Sequence, residues 1–127
     1  MKLKFKRVVF VSLTMTGAVL SWQSPALSHA FPQQEQPGVG AVVHEAPKQI
    51  RIWFDARIEP VFSTIVVKDN QGKEVSGDSK VDPDTRQILE TGLQPLPPGE
   101  YHVYWKVVAW DGHRTEGDYT FSISPQP

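Results

Sequence analysis

Asp111 and His113, separated only by Gly112, form the pattern in this sequence that is most suggestive of chemistry. In extended backbone, residues two apart point to the same side, so a carboxylate oxygen and an imidazole nitrogen can face one point. Gly112 lets the chain bend between them. Oxygen and nitrogen donors together suit a divalent metal ion. Asp-Gly is also common in plain turns, so the pattern by itself leaves a polar turn as the alternative.

His29 is the residue that would turn this pair into a stronger metal site. As the first residue of a mature protein, it would offer a free α-amine and an imidazole that close one chelate ring. An α-amine titrates near ~7.7–8.0, so a metal can displace its proton at neutral pH. Together with His113 and Asp111 this makes three nitrogens and one oxygen, a set that suits tetragonal Cu(II). The alternative is an ordinary frayed chain end.

The N-terminal residues predict a secretory signal that is removed over residues 1–28. A basic segment, Lys2 to Arg7, precedes an apolar run from Val8 to Leu20, and small residues follow up to Ser28. This order is typical of a signal peptide. The apolar run is shorter than the roughly 20 residues that a membrane-spanning helix needs, which favours cleavage over an anchor.

Two cleavage positions satisfy the rule of small residues at −3 and −1. A cut after Ser28 leaves His29 as the first residue, whereas a cut after Ala30 leaves Phe31. The residues alone leave both open. In the second case two of the four proposed donor atoms are lost with the leader.

The composition of residues 29–127 excludes several classes of protein. Four of the 13 basic residues precede His29, so the remainder carries 9 basic and 14 acidic residues, a net charge of −5. An acidic exported domain is a poor partner for nucleic acid or an anionic membrane. The chain has no cysteine, and Met1 and Met15 both lie in the signal. The absence of soft sulfur ligands disfavours Cu(I) and allows Cu(II) or Zn(II).

The pattern after the signal predicts short strands separated by turns, with no helical period. Gln49 to Phe54 alternates, with Ile50, Ile52 and Phe54 on one face. Further strands are predicted over residues 62–68, 85–90, 100–110 and 117–124, and residues 32–40 are predicted to be a loop. Several short strands at similar spacing indicate an all-β, single-domain antiparallel sandwich with Greek-key connections.

Several motifs in a fixed order carry a resemblance to a known family. Residues 96–108 read LPPGEYHVYWKVV and run into Asp111-Gly112-His113, and residues 117–123 follow as GDYTFSI. Earlier come His29-Ala30, PGVG at 37–40 and APKQIRIWF at 46–54. In this order and spacing, behind a signal, the sequence resembles the CopC family of periplasmic copper-resistance proteins over nearly its whole mature length.

The resemblance implies an Ig-like sandwich of about seven strands that binds one Cu(II) per chain through an N-terminal histidine brace. The implied ligands are His29, by its amine and imidazole, with Asp111 and His113. Only a cut before His29 creates this brace, so the resemblance favours a mature domain over residues 29–127. It further implies a monomeric periplasmic copper carrier or buffer, not an enzyme, with a separate inner-membrane copper transporter as a partner.

The sequence departs from the family pattern near the expected site. The methionine-rich Cu(I) site of the family is missing. An acidic residue that some members have near Cu(II) falls at Ala56, and Asp55 beside it is predicted to point to the opposite face of its strand. Trp110 and Arg114 stand where the family usually has a small residue and a proline. With Glu116, they are predicted to be exposed loop residues, and the alternative is that they line the rim of the site.

The other two histidines, His44 and His102, are predicted to be exposed to solvent and to lie outside the site. Two other functions remain open at this level. A histidine brace also occurs in copper oxygenases, which would make the protein a redox enzyme. A metal-free Ig-like interaction module gains weight if the mature chain begins at Phe31.

Overall fold

Eight strands make up nearly all of the regular structure in the computed structural model, which describes residues 29–126. The predicted signal, residues 1–28, lies outside the described residues. The strands are β1 (Pro32–Gln36), β2 (Val42–Val43), β3 (Gln49–Phe54), β4 (Thr64–Lys68), β5 (Ser76–Val81), β6 (Ile88–Leu93), β7 (Gly99–Val108) and β8 (Arg114–Ile123). A 3-10 turn, Pro60–Phe62, precedes β4.

The strands form two four-stranded sheets with the order β1-β3-β6-β5 and β2-β8-β7-β4. All neighbours are antiparallel except β2, which runs parallel to β8. The orders correspond to the ABED and CFG sheets of an immunoglobulin domain if β1, β3, β6 and β5 are A, B, E and D. The predicted all-β Ig-like sandwich is confirmed. An eighth strand arises because the N-terminal segment contributes β1 to one sheet and β2 to the other.

The core lies between the sheets and is built from alternating residues of the long strands. Ile50, Ile52 and Phe54 of β3 are 0%, 0% and 3% exposed, as their alternation predicts. Strands β7 and β8 face them with buried residues at every second position, namely Tyr101, Val103, Trp105, Val107, Tyr119, Phe121 and Ile123. The β7–β8 hairpin is thereby a rigid support for the loop at its end.

Tyr101 fixes the start of β7. Its hydroxyl donates a hydrogen bond to the carbonyl oxygen of Pro97, and its ring stacks on Phe121 at 5.5 Å. A tyrosine near the start of strand F that bonds back to the preceding turn is the tyrosine corner of Ig-like domains. Burial, with the Asp69 carboxylate as a smaller cause, raises the pKa of this phenol above its usual value.

The prediction of a loop over residues 32–40 is wrong for its first half, because Pro32–Gln36 forms β1. Strand β5, Ser76–Val81, was not predicted at all. Both are edge strands of the same sheet and pair through their backbone. Their side chains are mostly polar, so they lack the apolar alternation by which a half-buried strand is recognised.

Several other strands begin or end at different residues than predicted, in most cases because a turn takes up residues expected in the strand. The strand expected from Phe62 begins at Thr64, after the 3-10 turn. The strand expected over residues 85–90 begins at Ile88, because Asp82 caps a turn in which Arg86 adopts a φ of 55°. Strand β7 ends at Val108, two residues earlier than expected, and β8 begins at Arg114, three residues earlier.

Gly117 is expected to be required for stability, because Trp105 lies directly opposite on β7. A Cβ at Gly117 would lie 2.5 Å from a ring carbon of Trp105, which is 8% exposed and packs edge-on against Phe54. Since overpacking costs about 1–3 kcal/mol, Gly117→Ala should lower the free energy of unfolding in urea by that amount. Gly92→Ala is the matched control, since a Cβ on this β6 residue meets no atom within 4 Å. Equal effects of the two substitutions would contradict the role of Gly117.

Candidate metal centre

The loop that joins β7 to β8 is a tight turn, and it carries the Asp-Gly-His motif. The amide of Ala109 donates to the carbonyl of His113, and the amide of Gly112 donates to the carbonyl of Ala109, each over 2.8 Å. Gly112 has a φ of 90°, a conformation that residues with a Cβ adopt at a cost. The hydrogen bonds of the turn thus fix the relative position of the residues on either side of Gly112.

Asp111 and His113 are brought into direct contact by this turn. One carboxylate oxygen of Asp111 accepts from the His113 backbone amide at 3.1 Å, and the other lies 3.0 Å from His113 Nδ1. Nδ1 is buried and, despite this short distance, makes no hydrogen bond to the carboxylate. Two adjacent ligand atoms about 2.0 Å from a metal ion at a right angle lie about 2.8 Å apart. The separation therefore suits two donors to one ion.

His29 lies beside His113, from the opposite end of the described chain. Their ring centroids are 5.1 Å apart, with the planes inclined by 57°. The ring of Phe31 contacts the ring of His29 edge-on at 5.9 Å. The other two predicted ligands, His29 and Asp111, thus both neighbour His113. No group of three or more acidic, histidine or cysteine side chains within residues 29–126 is already gathered as a metal cluster. Binding by all three residues would therefore include a local adjustment of side chains.

The two residues after His29 are held firmly, in contrast to a frayed chain end. Ala30 is fully buried, and its carbonyl oxygen accepts from Thr115 Oγ1 of β8 at 2.6 Å. Phe31 bonds to Asp55, just after β3: its amide donates to the Asp55 carboxylate at 2.7 Å, and its carbonyl accepts from the Asp55 amide at 2.9 Å. These contacts keep His29 next to His113.

From the sequence, Asp55 is predicted to point away from the site, and Thr115 is not singled out at all. The carboxylate of Asp55 turns to the N-terminal segment, and the neighbouring Ala56 packs partly buried against the core. Their partners lie 24 and 85 residues away in the chain. A side chain that bonds to a distant backbone group leaves no local pattern, so no sequence signal was available.

His44 and His102 lie away from the Asp-Gly-His turn, as predicted. His44 is exposed after β2, which pairs with the far end of β8, and its Nδ1 lies 2.7 Å from the carbonyl oxygen of Ser124. His102 contacts the carboxylate of Asp118 and stacks on Tyr104 at 4.3 Å. It lies six residues before the end of β7, which places it about 20 Å from the turn.

Trp110, Arg114 and Glu116 are exposed, as predicted, but Arg114 and Glu116 belong to β8 and are not loop residues. Trp110 is 61% exposed. The other two line an open groove of about 490 Å³ on the β7–β8 side of the molecule, together with Phe62, Lys106, Val107, Val108 and Thr115. The ligand candidates do not line this groove. In the part of the chain that the structure describes, no helix is long and apolar enough to cross a bilayer.

Comparisons with family models, curated proteins and solved structures all point to the same family. Residues 33–124 match the CopC domain. Protein YobA of Escherichia coli K12 is 34% identical over 123 residues, covering 95% of this chain and 94% of YobA. Copper resistance protein C of Escherichia coli is 29% identical over 126 residues, covering 93% and 95%. The crystal structure of CopC from Methylosinus trichosporium OB3b superposes with a TM-score of 0.74 at 31% identity, covering 78% of this chain and 97% of that one.

The two-sheet Ig-like fold and the similarity to these proteins define a small β-sandwich protein that handles copper. Within this class, the chain belongs to the CopC family.

Proposed function

We propose that the mature protein is a periplasmic carrier or buffer that binds one Cu(II) per chain through His29, Asp111 and His113. The observation that carries the proposal is the buried Nδ1 of His113, which lacks a hydrogen bond although it lies 3.0 Å from the Asp111 carboxylate and next to His29. Copper is the cargo in this proposal. The amine and imidazole of His29, the imidazole of His113 and the carboxylate of Asp111 supply three nitrogens and one oxygen, which suits Cu(II).

Cleavage before His29 is part of the proposal, and the burial of Ala30 supports it. A cut after Ala30 would remove a fully buried residue of the core and the acceptor of the Thr115 hydrogen bond. A cut after Ser28 keeps both and releases the amine of His29. In the uncut chain that nitrogen is a peptide amide, which is a poor metal ligand. Export would therefore complete the site only outside the cytoplasm.

A carrier role fits the accessibility of the site better than catalysis does. The His113 side chain is 42% exposed and the Asp111 side chain 19%, so a partner's ligands can reach an ion held between them. A carboxylate as the fourth donor fills a position that an oxygen-activating enzyme keeps open. We infer a monomer that passes copper to a separate inner-membrane transporter. The name of copper resistance protein C, a relative over nearly its full length, supports a role in copper resistance or homeostasis.

The proposal is tested on protein purified from the periplasm of an expressing bacterium. Its intact mass is expected to match residues 29–127, and it should bind one Cu(II) with a tetragonal electron paramagnetic resonance spectrum that shows nitrogen ligands. A mass that matches residues 31–127, or no binding of Cu(II) by a chain that begins at His29, would contradict the proposal. Copper-dependent ascorbate oxidation that disappears in Asp111→Ala or His113→Ala would instead indicate a redox enzyme.

A further inference from the structure

Two side chains from different sheets hold the backbone that immediately follows His29. Thr115 on β8 donates to the carbonyl of Ala30 at 2.6 Å. Asp55, which follows β3 in the other sheet, accepts from the amide of Phe31 at 2.7 Å. Both bonds go to backbone atoms, so they fix the path of the chain and leave the His29 side chain and nitrogen unengaged by these two residues.

We propose that Asp55 and Thr115 are positioning residues of the copper site. They hold residues 30 and 31 so that the amine and ring of His29 stay beside His113. Chain ends are usually mobile, and ordering a mobile ligand during binding costs conformational entropy. When the ligand is already held in place, that cost arises during folding and affinity increases. This inference rests on the proposed function, since it assumes that His29 binds the ion.

The side-chain contact of Asp55 can be removed on its own, because only one of its two hydrogen bonds to Phe31 comes from the side chain. Asp55→Ala removes the carboxylate, while the Asp55 amide still donates to the Phe31 carbonyl at 2.9 Å. The segment should therefore loosen without detaching. Asp55→Asn keeps an oxygen that accepts from the Phe31 amide but removes the charge. The pair of variants separates hydrogen bonding from electrostatics.

The test measures Cu(II) affinity by competition with a chelator in two forms of the mature protein, with the His29 amine free or acetylated. Loss of a group that holds a metal ligand in place typically lowers metal affinity about 10–100-fold, so Asp55→Ala should weaken binding about tenfold when the amine is free. When the amine is acetylated, the same substitution should have a smaller effect, because only the imidazole of His29 can still bind. Asp55→Asn should stay within about threefold of the parent, because its side-chain oxygen still accepts the same bond.

Each outcome has a distinct meaning. An equal loss in both forms, or no loss in either, would show that Asp55 has at most a general structural role and would overturn the inference alone. A loss in Asp55→Asn as large as in Asp55→Ala would assign the effect to charge and would also overturn it. If acetylation of the parent protein has no effect, the brace itself is refuted, and this inference is refuted with it.

Asp69 provides a matched control for loss of a carboxylate that accepts from backbone amides. Its Oδ1 accepts from the amides of Gln71 and Lys73, each at 2.9 Å, in the turn after β4. This turn lies at the opposite end of the sandwich from the Asp-Gly-His turn, since Lys68 pairs with His102. Asp69→Ala should leave copper affinity unchanged in both forms, and a loss equal to that of Asp55→Ala would overturn the inference.

Thr115 gives a second, independent pair of variants. Thr115→Val removes the hydroxyl that donates to Ala30 at nearly constant volume, and Thr115→Ser keeps it. With a free amine, Thr115→Val should weaken Cu(II) binding about tenfold. Its electron paramagnetic resonance spectrum should show additional copper species with altered nitrogen hyperfine structure. Thr115→Ser should restore the parent spectrum. Identical spectra and affinities for the two variants would overturn the inference even if Asp55→Ala fails to fold.

Discussion

Acetylation of the His29 amine is expected to lower Cu(II) affinity by more than about 100-fold. The amine is proposed as a direct ligand, and loss of a group that only orients a ligand already costs about 10–100-fold. An acetylated nitrogen is an amide and no longer closes a chelate ring with the imidazole. The amine can be modified selectively near pH 6.5, since an α-amine titrates near ~7.7–8.0 and lysine near ~10.4. Affinity is measured by chelator competition after the modification is verified by mass.

The control for this prediction is protein that is treated with the reagent while loaded with copper. The bound ion should shield the amine, so this sample should keep its mass and its affinity after the reagent is removed. Equal affinities of free-amine and acetylated protein would refute the brace and leave the His29 imidazole, His113 and Asp111 as the candidate donors. The same reaction separates His29 from Phe31 as the first residue, because a chain that begins at Phe31 has no imidazole beside its amine.

His113→Ala is the second change with a large expected effect, again a loss of more than about 100-fold in Cu(II) affinity. The imidazole contacts both other candidate ligands, Asp111 at 3.0 Å and the ring of His29 at 5.1 Å between centroids. Its removal would therefore delete one donor and the contact that keeps the other two together. Because Nδ1 makes no hydrogen bond, the free energy of unfolding without metal should change by no more than about 0.5 kcal/mol.

His102 is a suitable control for His113. The side chains are similarly exposed, at 37% and 42%, and each contacts an aspartate. His102 lies on the outer face of β7 about 20 Å from the turn, so His102→Ala should leave the affinity for Cu(II) unchanged. Similar losses in the two variants, measured by the same chelator competition, would contradict the proposed ligand set.

The strands that the sequence predicts well are those with one face in the core. In β3, β7 and β8 the buried residues alternate with exposed ones, and this period was visible without a structure. Strands β1 and β5 also pair through their backbone, but they lie at sheet edges and carry polar side chains at most positions. The prediction failed there because the hydrophobic pattern reports burial and not pairing.

The candidate ligands differ in how far the sequence alone could connect them. Asp111 and His113 are two residues apart, so the sequence predicts that they face one point from extended backbone. The structure brings them together in a turn instead. Their link to His29 came from a family resemblance, since no local rule joins residues at opposite ends of a domain. The structure then places the His29 and His113 rings in contact.

Residue types and short spacings were enough to predict the sandwich core, the proximity of Asp111 and His113, and the lack of sulfur ligands in residues 29–127. The burial of Ala30, and the contacts by which Asp55 and Thr115 hold the chain beside His29, are visible only in the folded structure. Those contacts join segments 24 and 85 residues apart, and they exist only because the two sheets bring β3 and β8 to the same end of the molecule. Residue types decide which donors are available, and packing decides which of them meet.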